Sequence, residues 1–229
     1  MSNSIATQIN RATKTVATTM GVLVGLAGIN HGIFEIMQGN LRPDDFRIAA
    51  IGPAQRFWEY GMETALTIIP NFLITGILAV LFGILVTIWS VKYIDKKFGA
   101  GMLFLLGVIL FLFGGGFAPI FMTTIASLTT TRIYKPLRLW RAVLPGFLLR
   151  FLGTIWLWML VTFIAIFVFS VIVAIFGWPL TSFYDADTTF DILNILSYVM
   201  LGFMLFAPIT GFAHDIQTTR IEMETIHHG

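Results

Sequence analysis

Cysteine is absent from the 229-residue chain, which excludes disulfides, thiolate metal sites, iron–sulfur ligation and thiol catalysis. Charge is scarce as well. Asp, Glu, Lys and Arg make up 11% of the residues, where a soluble domain carries about 25%. So little polar surface does not cover a water-soluble globule. The 14 basic side chains are nearly balanced by 12 acidic ones, which leaves no extended basic face and excludes nucleic acid as a partner. The G-x-S-x-G nucleophile elbow, the G-x-x-x-x-G-K-[ST] phosphate loop and the H-E-x-x-H zinc helix are all missing.

Apolar residues fill the space that charge leaves: 57% of the chain is hydrophobic, with 22 phenylalanines. The charges cluster between long apolar runs, the pattern of a polytopic integral membrane protein whose surroundings are the lipid bilayer. The predicted fold is an all-α bundle of about five transmembrane segments. These are residues 16–37, 65–91, 101–128, 147–180 and 192–213, each above the roughly 20 residues a span needs. Residues 1–15 read as a polar N-terminal tail, 16–214 as one transmembrane domain and 215–229 as a polar C-terminal tail. Arg11 and Lys14 precede an apolar run, as in a secretory signal, but the run continues through Asn30-His31-Gly32 without a small-x-small cleavage site. It reads as a retained first helix. Small size and the lack of a targeting signal point to a prokaryotic plasma membrane.

The third segment is interrupted at its centre by GGGFAP, 114–119, where three glycines and a proline disfavour a continuous helix. It is either a kinked crossing or a re-entrant hairpin. With five crossings, nine basic residues face one side and five the other; with a hairpin the split is eleven to three, which fits the positive-inside rule better. Five crossings is nevertheless the expectation, because the first arm, MLFLLGVILFLF, is apolar all round. Two shorter stretches read as interfacial. KPLRLWRAVL, 135–144, suits an amphipathic helix on anionic lipid, and residues 53–66 are predicted to be helical, leading into segment two with a kink at Pro70.

The first segment contains the best functional lead. At 100° per residue, Gly21, Gly25, Gly28, Gly32 and Gly39 fall within about 60° of arc, a stripe along which another helix backbone can approach closely. Glu35 lies on the edge of that stripe with His31 one turn before it, whereas Asn30 faces the opposite way. Ionisable groups within a span mark functional sites, although a His31–Glu35 hydrogen bond that fixes packing is an equally good reading. Glu59 and Glu63, four apart, lie at the same end of the hairpin formed by segments one and two. They either join His31 and Glu35 or form an ion-pair ladder with Arg56, and Asn71 lies two turns further on. With five crossings, His214 and Asp215 at the end of segment five reach the same side, making His31, Glu35 and His214 candidate metal ligands. Otherwise His214 caps a helix end. Glu224, His227 and His228 repeat the carboxylate–histidine spacing of metal-binding helices, without a second copy.

Three functions follow from these residues. The first is a transporter, or the membrane subunit of a transport or other complex, with a buried His/Glu site that takes an ion or a proton. The second is a membrane enzyme holding a metal or haem. The third is a non-catalytic scaffold that assembles through the glycine stripe. The short chain has no internal repeat, so a homo-oligomer or a partner membrane subunit is expected. The cofactor is left open.

Overall fold

A backbone in hydrocarbon must satisfy its own polar groups, and the apolar runs do so as helices. The computed structural model describes residues 9–228, with side chains described to residue 219. Among the described residues seven α-helices form: α1 (Arg11–Gln38), α2 (Phe72–Lys92), α3 (Gly99–Leu112), α4 (Phe117–Thr130), α5 (Arg138–Val143), α6 (Gly146–Phe176) and α7 (Ala186–His228). Two three-residue strands, β1 (Arg47–Ala49) and β2 (Thr64–Leu66), pair antiparallel with Ile48 opposite Ala65. Four helices, α1, α2, α6 and α7 to Thr219, are long and apolar enough to cross a membrane, whereas α3 and α4 have 14 residues each. The chain is therefore mostly helical, with four candidate spans among the described residues where five were expected, which is compatible with an integral membrane protein. Large apolar side chains on α6 and α7, among them Trp158, Ile195 and Tyr198, are exposed on the outer face of the bundle, where lipid replaces water.

α1 is the central helix. The glycine stripe accounts for this, and it is matched on α2, which runs antiparallel to it. A methyl on Gly32 would lie 2.6 Å from the Gly76 carbonyl oxygen, and one on Gly83 would lie 2.7 Å from that of Gly25. Gly21 packs against Ser90 and Gly28 against Leu110 of α3. At such separations only hydrogen fits, and the backbones meet with van der Waals and Cα–H···O contacts. Gly39 lies outside this seam and ends α1 with nothing near its Cα. The stripe is thus covered within the chain, and a scaffold that assembles through it has no free face to use.

α3 and α4 pack antiparallel, since Gly107 lies on Thr123 across an apex at residues 113–116. Their far ends return to the end where α1 begins. There the Asn10 N–H donates to the Ile133 carbonyl (2.9 Å), and Lys14 pairs with Asp95 between α2 and α3 (2.7 Å). The Asn10 amide donates to the Arg132 and Lys135 carbonyls rather than capping its own helix. Asp215 supplies that cap from α7: its carboxylate accepts from the N–H groups of Ala12 (3.0 Å) and Thr13 (2.8 Å) and from the Thr13 hydroxyl (2.7 Å). An anion at a helix N-terminus satisfies otherwise orphaned donors.

Residues 53–66 differ from expectation. Only Pro53–Gln55 forms a helical turn, and the segment then passes through turns into β2. Segment two starts its helix at Phe72 rather than residue 65, because Pro70 biases the residue before it away from helix and Asn71 caps α2 by accepting from the Ile74 N–H. Residues 40–71 form a lid over the far end of α1. It is tied down by the Gln38 amide to the Ala49 and Ala50 carbonyls, the Trp58 indole to the Ala174 carbonyl, and Tyr60 to Asp187.

Candidate functional site

The apex of the α3–α4 hairpin meets α1 under this lid. Gly114 and Gly116 have φ of 93° and 82°, the left-handed region that glycine enters without a Cβ penalty. The missing side chains also leave space for two ionisable groups of α1. A methyl on Gly114 would collide with the Glu35 carboxylate, and one on Gly116 would lie 2.7 Å from His31 Nε2. Gly116 is in turn the N-cap of α4 and supplies no side-chain cap. The partial positive charge of that helix N-terminus therefore lies beside His31 and Glu35. The apex is held to the lid by the Gly114 N–H donating to the Leu66 carbonyl (2.8 Å) and the Ile68 N–H to that of Leu112 (3.0 Å).

Glu35 is completely buried, and neither of its carboxylate oxygens has a hydrogen-bond partner. His31 is 6% exposed, with Nδ1 unpartnered and Nε2 3.8 Å from Glu63 Oε2. The expected His31–Glu35 hydrogen bond is not made, since the imidazole is turned towards Glu63 and the apex. Glu63 lies in the lid just before β2 with about a third of its side chain exposed. Its surroundings are nonetheless dry enough to raise its carboxyl above the usual carboxylate range, desolvation being the cause. The three groups run from a fully enclosed carboxyl through a buried imidazole to a carboxyl in contact with solvent. Burying an unpartnered polar group is costly, and burying an unpaired charge far more so. A carboxyl so placed is unfavourable as a bare charge and favoured when protonated or paired with a cation. The site contains no nucleophile poised beside a base.

The other predicted residues lie elsewhere. Glu59 is exposed on the lid and forms no ion pair with Arg56, whose guanidinium contacts Met62 Sδ. Asn71 is a helix cap that also donates to Asn40. His214 and Asp215 are at the opposite end of α1, where His214 Nδ1 is 3.0 Å from the Gly153 carbonyl and its ring packs on Trp156. Thr13, which bonds Asp215, precedes His31 by 18 residues, or about 27 Å of helix. The expected metal set of His31, Glu35 and His214 is therefore not assembled, because the α3–α4 hairpin returns the chain to the end where α1 begins and His214 of α7 is left at that end, away from His31 and Glu35. Among the described residues no cluster of three or more His, Asp and Glu side chains is arranged to hold a metal. Glu224, His227 and His228 lie outside the described side chains.

Sequence reading missed three parts of the arrangement: the Gly76–Gly83–Ser90 face of α2, the lid strand that roofs the site, and the pairing of Gly114 with Glu35. The first had a signal, since positions seven apart on α2 match Gly25 and Gly32 on α1. The lid strand had none, because a three-residue strand is below what periodicity resolves. The chain matches no protein-family model, no curated protein and no solved structure, so its own residues alone bear on what it does.

Proposed function

We propose that this protein is a transporter, or the membrane subunit of a transport system, in which Glu35 exchanges a proton or a small cation. The observation that carries this reading is a fully buried carboxylate with two unpartnered oxygens at a glycine apex. Interrupted helices whose ends meet ionisable side chains are a recurrent way to build ion sites within a bilayer. In this reading α3 and α4 enter and leave on one side as a re-entrant hairpin whose backbone is satisfied within its own helices, with α3 packed on α2, α4 packed on α1, and Phe104, Leu105, Phe121 and Leu128 left on the outer face towards lipid. Each arm is about 21 Å long, so the apex stops short of the roughly 30 Å hydrocarbon thickness, and the lid covers the remainder. Eleven of the fourteen basic residues then fall at the end where α1 begins, which makes that end cytoplasmic. The lid, with Glu63 as the point of access and His31 between it and Glu35, faces the other side. Transport across the full thickness by so short a chain calls for a second copy or a partner subunit.

The test is reconstitution into liposomes loaded with a pH-sensitive dye, with an imposed proton gradient and Na+ or K+ outside in turn. Wild-type protein is expected to collapse the gradient, Glu63→Gln to slow the collapse and Glu35→Gln to abolish it while remaining folded. Equal flux through wild type and Glu35→Gln would sink the proposal.

A further inference from the structure

At the end of the molecule opposite Glu35, the segment joining α4 to α6 carries a basic cluster that the transport reading does not use. Lys135, Arg138 and Arg141 line a pocket of about 370 Å³ whose other walls include Asn10, Asp215 and Thr219. All three basic side chains are exposed, and among the described residues none makes an ion pair or a side-chain hydrogen bond. Asp215 is the acid in the wall, and both its oxygens are engaged by the first turn of α1. Three cations against one carboxylate among the described lining residues leave the pocket electropositive, and that carboxylate is already engaged by hydrogen bonds from the first turn of α1.

The segment is held in place. The Asn10 amide fixes the Arg132 and Lys135 carbonyls at 2.7 and 3.0 Å. Leu137 is buried against Phe212 and Ile216 of α7, and the Trp140 ring lies 5.2 Å from that of Phe212. α5 therefore turns one face to the bundle and its arginines to the pocket. A third face carries Leu139 and Val143, 64% and 63% exposed, followed by Phe147 at 77%. In a helix at the end of a membrane bundle, such a face belongs among acyl chains.

We propose that this pocket binds the phosphate headgroup of an anionic phospholipid from the surrounding leaflet, with Lys135, Arg138 and Arg141 on the headgroup and Leu139, Val143 and Phe147 against its chains. Charge complementarity selects an anionic lipid, and the adjoining apolar face selects a lipid over free phosphate. Juxtamembrane basic residues each contribute about fivefold to such binding.

Native mass spectrometry of the detergent-purified full chain, titrated with phosphatidylglycerol or phosphatidylcholine, tests it. Phosphatidylglycerol is expected to bind at least about tenfold more tightly, with its affinity falling as salt rises. The Lys135→Ala/Arg138→Ala/Arg141→Ala variant is expected to lose about a hundredfold, and Arg42→Ala, at the other end of the bundle, to lose nothing. Equal binding of the two lipids, full retention in the triple variant, or displacement by millimolar inorganic phosphate would each overturn the proposal. Should the triple variant fail to fold, the wild-type salt series decides, because salt-independent retention contradicts a charged site.

Discussion

Replacing Glu35 with methionine is expected to make the protein more stable and inactive at once. Methionine has one side-chain heavy atom fewer than glutamate, an unbranched flexible end and no group that needs a partner, so it fills the space beside Gly114 with the least repacking. What it removes is a fully buried carboxyl with neither oxygen hydrogen-bonded. An unsatisfied buried group of this kind costs about 1–3 kcal/mol. Glu35→Met should therefore stabilise the fold by about 2 kcal/mol, a factor of about 30 in the folding equilibrium. The assay is reversible unfolding in mixed micelles of increasing SDS fraction, followed by tryptophan fluorescence, alongside the liposome flux measurement. Stabilisation together with lost flux would place Glu35 among residues kept for function at the expense of stability. Destabilisation by more than about 1 kcal/mol would refute the reasoning, since it would mean that the carboxylate has a partner that holds the fold together.

Gly114→Ala is expected to destabilise by about 1–3 kcal/mol from its positive φ alone, with a further loss from the Glu35 collision. In a double-mutant cycle with Glu35→Ala, the same unfolding assay should recover that second part as a coupling above about 0.5 kcal/mol. Gly83→Leu would drive a side chain into the backbone of α1 at Gly25 and Ile29, and should cost more than about 4 kcal/mol or prevent folding. Gly202→Ala, with open space around it, should be neutral or slightly stabilising. Asp215→Ala leaves two backbone N–H groups and the Thr13 hydroxyl unpaired at the start of α1 and should cost about 2–3 kcal/mol. The Lys14 ammonium beside Asp95 holds that carboxyl below its ordinary value. The pair's contribution, about 0.5 kcal/mol for partly exposed groups, is present above pH 3.8 and lost as pH falls through the lowered folded value. Stability difference curves for Asp95→Asn against wild type should therefore converge on acidification.

The length of the apolar runs located α1, α6 and the apolar part of α7, because long spans are set by composition alone. Helical periodicity gave the glycine stripe its role in close packing, which holds for Gly21, Gly25, Gly28 and Gly32 and fails for Gly39. The hairpin of α3 and α4 was ambiguous for a physical reason. Each arm is apolar all round, and only the surrounding helices decide whether such an arm meets lipid or protein. Charge counting favoured the hairpin at eleven to three, and the antiparallel packing of α3 and α4 agrees with a hairpin in shape. Glu63 was legible as a neighbour of His31 because segments one and two must turn back on each other. His214 was misplaced with the crossing number, since one crossing more or fewer moves the end of α7 to the other side. The lid was invisible as structure: prolines, short strands and turns carry no period.

The glycine-to-glycine seam between α1 and α2 also bears on how the chain enters a membrane. α1 is the least apolar of the four long helices and carries His31 and Glu35, so it partitions poorly by itself. α2 follows directly and covers the stripe, which makes the two helices one unit of insertion rather than two. Glu35 then waits for its wall, because Gly114 and Gly116 are made nearly eighty residues later. Until the hairpin arrives, the first helix of the nascent chain holds an open carboxyl at its far end, and its near end stays uncapped until Asp215 of α7 follows.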